Sequence, residues 1–95
     1  MASIGLRESE DKLSATTRDK HRAIVSLMEE LEAIDWYNQR CDACDDRELK
    51  SILEHNRDEE KEHAAMLLEW IRRQDPAFSG QLKTYLFTEK SLAGH

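Results

Sequence analysis

Turn-forming residues are scarce: the 95-residue sequence holds three glycines and one proline, which excludes a loop-rich architecture and points to helix. Cysteine is scarce too. Cys41 and Cys44, three residues apart, cannot build a multi-bridge scaffold, so packing must hold the fold. No stretch approaches the roughly 18 apolar residues of a membrane span, and the opening MASIGLRESEDK lacks the apolar core of a secretory signal. The expected setting is cytoplasmic, with no membrane partner. Positive charge is in deficit, 14 Lys and Arg against 20 Asp and Glu, for a formal net charge of -6. That excludes the broad basic surface with which nucleic-acid binders displace counterions, and suits cation capture better. Chain length sets a further bound, because so short a chain buries a limited core unless it associates with another copy or with a metal.

What is present is helix. From about Ser14 to Cys44 there is no Gly or Pro, and Ile24, Leu27, Leu31, Ile34, Asn38 and Cys41 recur at alternating spacings of three and four, as on an amphipathic helix that Ser14 can cap. The link CDDRE then turns the chain, with Asp45 as candidate N-cap and Glu48 three residues later as in a capping box. A second helix is expected from about Asp46 to Gln74, ending at RRQDP, where two arginines favour the negative end of the helix dipole and Pro76 forbids simple continuation. Asp75 can cap a short third helix with Phe78, Leu82, Tyr85 and Leu86 on one face. The expected organisation is a flexible segment over 1–13, a helical hairpin with a short third helix over 14–87, and a tail over 88–95.

Two long helices of similar length, roughly 43 Å each, joined by a short link make an antiparallel hairpin. Val25 and Trp36 lie on a different side of the first helix from Leu27 and Ile34, so more than one contact surface is implied, part of it between chains.

The second helix carries an anomaly. Followed at alternating spacings its seam reads Leu49, Leu53, Asn56, Glu60, His63, Leu67, Trp70, apolar at the ends and polar in the middle. Glu60 and His63 project within roughly 60° of one another, towards whatever covers Leu53 and Leu67. A carboxylate taken out of water loses several kcal/mol of hydration that one neutral imidazole does not restore. A divalent cation compensates directly; a Glu60–His63 ion pair in a wet notch, or a protonated Glu60, is the alternative. On the first helix Glu30 sits between Leu27 and Ile34 at the edge of the apolar stripe, with Tyr37 one heptad later. Di-iron carboxylate bundles use one Glu from each of two helices and one Glu-x-x-His from each of the other two. This hairpin supplies half of that set, so two copies related by a two-fold axis would complete a four-helix bundle with the site between chains.

The segments HRAIVSLMEELEAIDWYNQR, NRDEEKEHAAMLLEWIRR and YLF closely resemble the encapsulated ferritins, over most of the chain from about His21 to Phe87. The resemblance implies an all-α, ferritin-like hairpin that dimerises into a four-helix bundle and assembles as a ring of five dimers. It implies a ferroxidase that oxidises Fe(II) to Fe(III) with dioxygen at a dimer-interface di-iron centre of Glu30, Glu60 and His63 from each chain, with Tyr37 close by. Glu29 and Glu32 match positions that bind metal in transit towards that centre, and Trp36 adjoins them. The implied partner is an encapsulin shell protein whose nanocompartment stores the mineral. Family members usually carry a C-terminal extension with a shell-targeting peptide, and this sequence stops at EKSLAGH, so encapsulation is expected from the resemblance alone.

Oxygen-rich ligation with one imidazole per metal and no thiolate suits iron or manganese better than a structural zinc site, with Ca, Zn or Mn as candidate substitutes. The competing expectation is a non-catalytic helical assembly protein whose interfacial metal controls oligomerisation. A third is an acidic helical adaptor with no metal. Four histidines, one of them on the seam, are too few for a His-rich oxygen carrier.

Overall fold

The computed structural model describes residues 5–94. A 3-10 turn at Glu10–Lys12 precedes α1 (Ala15–Ala43), α2 (Arg47–Gln74) and α3 (Pro76–Tyr85), and the described residues contain no strand. The first four residues of the segment expected to be flexible, and His95 of the tail, lie outside the described residues.

Each helix begins where a short polar side chain can satisfy an orphan backbone N–H. The Ser14 hydroxyl accepts from the Thr17 N–H at 3.1 Å, and the Asp75 carboxylate accepts from the Phe78 N–H at 3.0 Å, with Pro76 at the first helical position. The link between α1 and α2 corrects one expectation: Asp46, not Asp45, is the cap, its carboxylate accepting from the Leu49 N–H at 2.8 Å. The cause is that Cys44 still closes the last turn of α1, donating its N–H to the Cys41 carbonyl at 3.4 Å, which pushes the start of α2 one residue on. Glu48 then falls too early for a capping box and instead places negative charge in the first turn.

The short link folds α1 and α2 into the expected antiparallel hairpin, while α3 packs on α2 and makes no comparable contact with α1. The seam inside the hairpin is rotated from the apolar stripe read along α1. On that helix the sheltered positions run Ala23, Leu27, Glu30, Ile34, Tyr37, Cys41, whereas Ile24 and Asn38 are exposed and Leu31 is 54% exposed. On α2 they run Leu53, Arg57, Glu60, Ala64, Leu67, Ile71, and the predicted end positions Leu49 and Trp70 are exposed. Small residues explain the shift: Ala23 and Ala64 let the two backbones approach, and the larger Ile24, Leu31 and Met66 are left on outward faces. Among the described residues the buried apolar set is Ala23, Cys41, Ala64 and Ile71, and no side chain is fully enclosed. This is a hairpin with only part of a core. Met28, Leu31, Ile52 and Met66 are all exposed, large apolar side chains that neither long helix covers.

An ionic cluster fixes the end of α2. Arg72 donates to both Glu69 carboxylate oxygens, from Nε at 2.6 Å and from Nη2 at 2.7 Å; Arg73 Nε donates to Oε2 at 2.7 Å, and Arg72 Nη1 reaches the Ser79 hydroxyl of α3 at 2.8 Å. Hydrogen bonds from Arg72 first, then Arg73, hold the Glu69 carboxyl down to about 2 from an ordinary 4.5. A depressed carboxylate pKa stabilises the fold above the ordinary value, and that contribution is lost as pH falls through the folded value. Glu69→Gln should therefore flatten the acid dependence of thermal stability between pH 4.5 and about 2, read by circular dichroism, and high salt should shrink the difference because the pair is solvent-screened.

Candidate metal centre

Glu30 and Glu60 occupy facing seam positions of α1 and α2, and His63 follows Glu60 by three residues on the adjoining row. Glycine-free, well-capped helices hold all three. One ligand atom from each residue lies within 4.8 Å of the other two, the one such group of three or more acidic, His or Cys side chains among the described residues.

The distances within the cluster are looser than those of a closed hydrogen-bonded network. His63 Nδ1 is 3.5 Å from Glu60 Oε2 and 3.6 Å from Glu30 Oε2, at or beyond the limit of a hydrogen bond. Two ligand atoms each about 2.1 Å from one metal, at angles of 90–120°, stand roughly 3.0–3.6 Å apart. Glu30 Oε2 is also shielded from solvent with no hydrogen-bond partner. A buried carboxylate oxygen left unpaired is costly, and a cation would supply the missing partner.

The cluster has a closed side and an open side. Glu30 and Glu60 side chains are 24% and 25% exposed, whereas His63 is 43% exposed. His63, Met66 and Trp70 form one row along α2, so the imidazole sits at the border between the seam and an uncovered apolar face. The sequence pattern pointed His63 into a covering element; among the described residues of one chain no element covers it fully.

The remaining expected site residues spread along α1. Tyr37 lies in the seam row of Glu30, one heptad on, and Glu29, Glu32 and Trp36 are exposed on the outer surface. Trp36 borders a shallow depression with Gln39 and Arg40. Arg40 was missed in the sequence: its guanidinium lies over the Tyr37 ring, 5.2 Å from the centroid, and the signal was the i, i+3 spacing of an aromatic and an Arg. His55 faces solvent and pairs with Glu59, away from the cluster. No helix among the described residues is long and apolar enough to cross a membrane.

A helical hairpin with a small core and a carboxylate–imidazole cluster at its edge thus defines the class. Residues 5–89 match the EncFtn-like family, and the chain belongs to it. It is 60% identical over 88 residues to an encapsulated ferritin-like protein of Rhodospirillum rubrum, covering 93% of this chain and 63% of that protein. A ferritin-like protein of Thermotoga maritima is 53% identical over 85 residues, covering 90% of this chain and 75% of that one. A crystal structure of a Nitrosomonas europaea protein superposes with a TM-score of 0.90 at 70% identity, covering 94% of this chain and 98% of that one. The chain therefore spans less than two thirds of the Rhodospirillum rubrum relative and three quarters of the Thermotoga maritima one.

Proposed function

We propose that this protein is a ferroxidase whose working site is built by two chains, each contributing Glu30, Glu60 and His63. The observation that carries the reading is the three-residue cluster at metal-ligand spacing, opening through His63 onto an uncovered apolar face. A second copy laid against that face would bring four carboxylates and two imidazoles together, the ligand set of a di-iron carboxylate bundle.

Iron is the substrate in this reading: Fe(II) enters, dioxygen accepts the electrons and Fe(III) leaves. The chain's own residues bind and orient. Glu30, in the seam between the two helices, would be the candidate bridging ligand, and Glu60 and His63 would hold metal from one face of the second helix. Four carboxylates offset the cations' charge and leave coordination positions for dioxygen. Tyr37, one heptad along the helix from Glu30 and with the Arg40 guanidinium over its ring, would tune the site. Glu29 and Glu32 beside Trp36 would take metal on its way in. Ca, Zn or Mn would occupy the same oxygen-rich ligands without turnover. The name of the Rhodospirillum rubrum relative supports encapsulation, and a ring of dimers held inside an encapsulin shell, where the mineral is stored, completes the proposal.

The competing assembly-protein reading shares this geometry and differs in chemistry. An oxygen electrode separates the two: Fe(II) added to the protein in air should consume dioxygen with the rise of Fe(III) absorbance. Metal-dependent association without oxygen uptake would sink the ferroxidase reading.

A further inference from the structure

Cys41 and Cys44 are the reactive groups that the metal centre leaves unused, about 16 and 21 Å along the helix axis from Glu30 at the helical rise. Both are free thiols. Cys41 is only 4% exposed and closes the hairpin seam, whereas Cys44 is partly exposed. Because α1 keeps its helical geometry through Ala43 and Cys44 departs only at its own ψ of 123°, their Cα atoms are separated by about 5 Å, inside the roughly 4.4–6.8 Å that disulfides span.

Their Cβ atoms, at the usual helical spacing of about 5–6 Å, are further apart than the roughly 3.5–4.5 Å of a disulfide. Closure needs a shift of about 1–2 Å, and Cys44 is positioned to make it. It caps the helix rather than continuing it, its N–H reaches the Cys41 carbonyl at a long 3.4 Å, and its thiol donates a weak bond to the Asp46 carbonyl at 3.5 Å. None of these restraints is strong.

We propose that Cys41 and Cys44 form a reversible intramolecular disulfide, making the closed end of the hairpin a thiol-oxidation site for hydrogen peroxide. The partly exposed Cys44 thiol gives up its proton and attacks one peroxide oxygen, forming an S–O bond as the O–O bond breaks, and the departing hydroxide takes up that proton to become water. Cys41 then gives up its proton and attacks Cys44 Sγ. The S–S bond forms, the S–O bond breaks, and a second water leaves. Two thiols are oxidised and one peroxide is reduced. The thiol's bond to Asp46, the residue that caps α2, is lost in the product.

The test treats the whole chain, metal-free and under inert gas, with one equivalent of hydrogen peroxide. Titration in denaturant should show both free thiols lost, intact mass should fall by two hydrogens, non-reducing denaturing gels should show a single chain, and dithiothreitol should restore both thiols. C41S should stop at a sulfenic acid on Cys44 that dimedone traps, and C44S should resist oxidation. Retention of both thiols, oxygen addition without loss of the pair, or bridges only between chains would overturn the proposal. With iron and dioxygen absent, the outcome is independent of the ferroxidase reading.

Discussion

Glu60→Ala protein mixed with Fe(II) in air should form Fe(III) on the order of tenfold or more slowly than the unaltered chain, since even the outer partners of metal ligands cost 10–100-fold when removed. Glu30→Ala and His63→Ala should behave alike, because the three ligand atoms lie within 4.8 Å of one another and each removes one corner of the same cage. Stability should move the other way. Without metal, Glu30 and Glu60 crowd two carboxylates around one imidazole nitrogen at 3.5–3.6 Å, too far for good hydrogen bonds. Removing either carboxylate relieves like-charge repulsion, so metal-free Glu30→Ala and Glu60→Ala should melt at or above the temperature of the parent. A fall in oxidation rate with no fall in melting temperature identifies a ligand rather than a structural residue. Unchanged rates in all three variants would reject the site.

The second large effect comes from a residue outside the cluster. Met66 is 58% exposed in the single chain yet lies on the row of His63 and Trp70, the face that the proposed second copy covers. An aspartate there would be buried without a partner on association, a penalty of several kcal/mol that is enough to undo an interface. Met66→Asp should sediment as a monomer, keep its helical circular dichroism and lose iron oxidation although Glu30, Glu60 and His63 are all intact. A monomeric variant oxidising iron at the full rate would show that one chain is sufficient; an assembled, fully active variant would move the interface elsewhere.

Local features were the legible part of the fold. Ser14, Asp75 and Pro76 announced helix ends because a cap acts through the few residues beside it. Asp45 misled because two adjacent aspartates can both cap, and only the residual turn at Cys44 chooses between them. The rotated seam was illegible for a related reason. Ile24, Leu31 and Trp70 mark an apolar face, but a sequence does not say whether the partner of that face is the chain's own second helix or another molecule. Ala23 and Ala64 took the inner positions because close backbone approach favours small side chains, a property of the pair of helices and not of either alone.

The sequence by itself determined the helices, their order and the residue types of the candidate centre: period, capping and Glu-x-x-His spacing are short-range, and each is fixed within a turn or two of helix. The tertiary structure decided what depends on two helices at once. It brought Glu30 to Glu60 and His63, left Glu30 Oε2 shielded and unpaired, and set His63 at the edge of an uncovered face. Those are outcomes of how two helical surfaces are rotated against one another, and no single helix contains that angle.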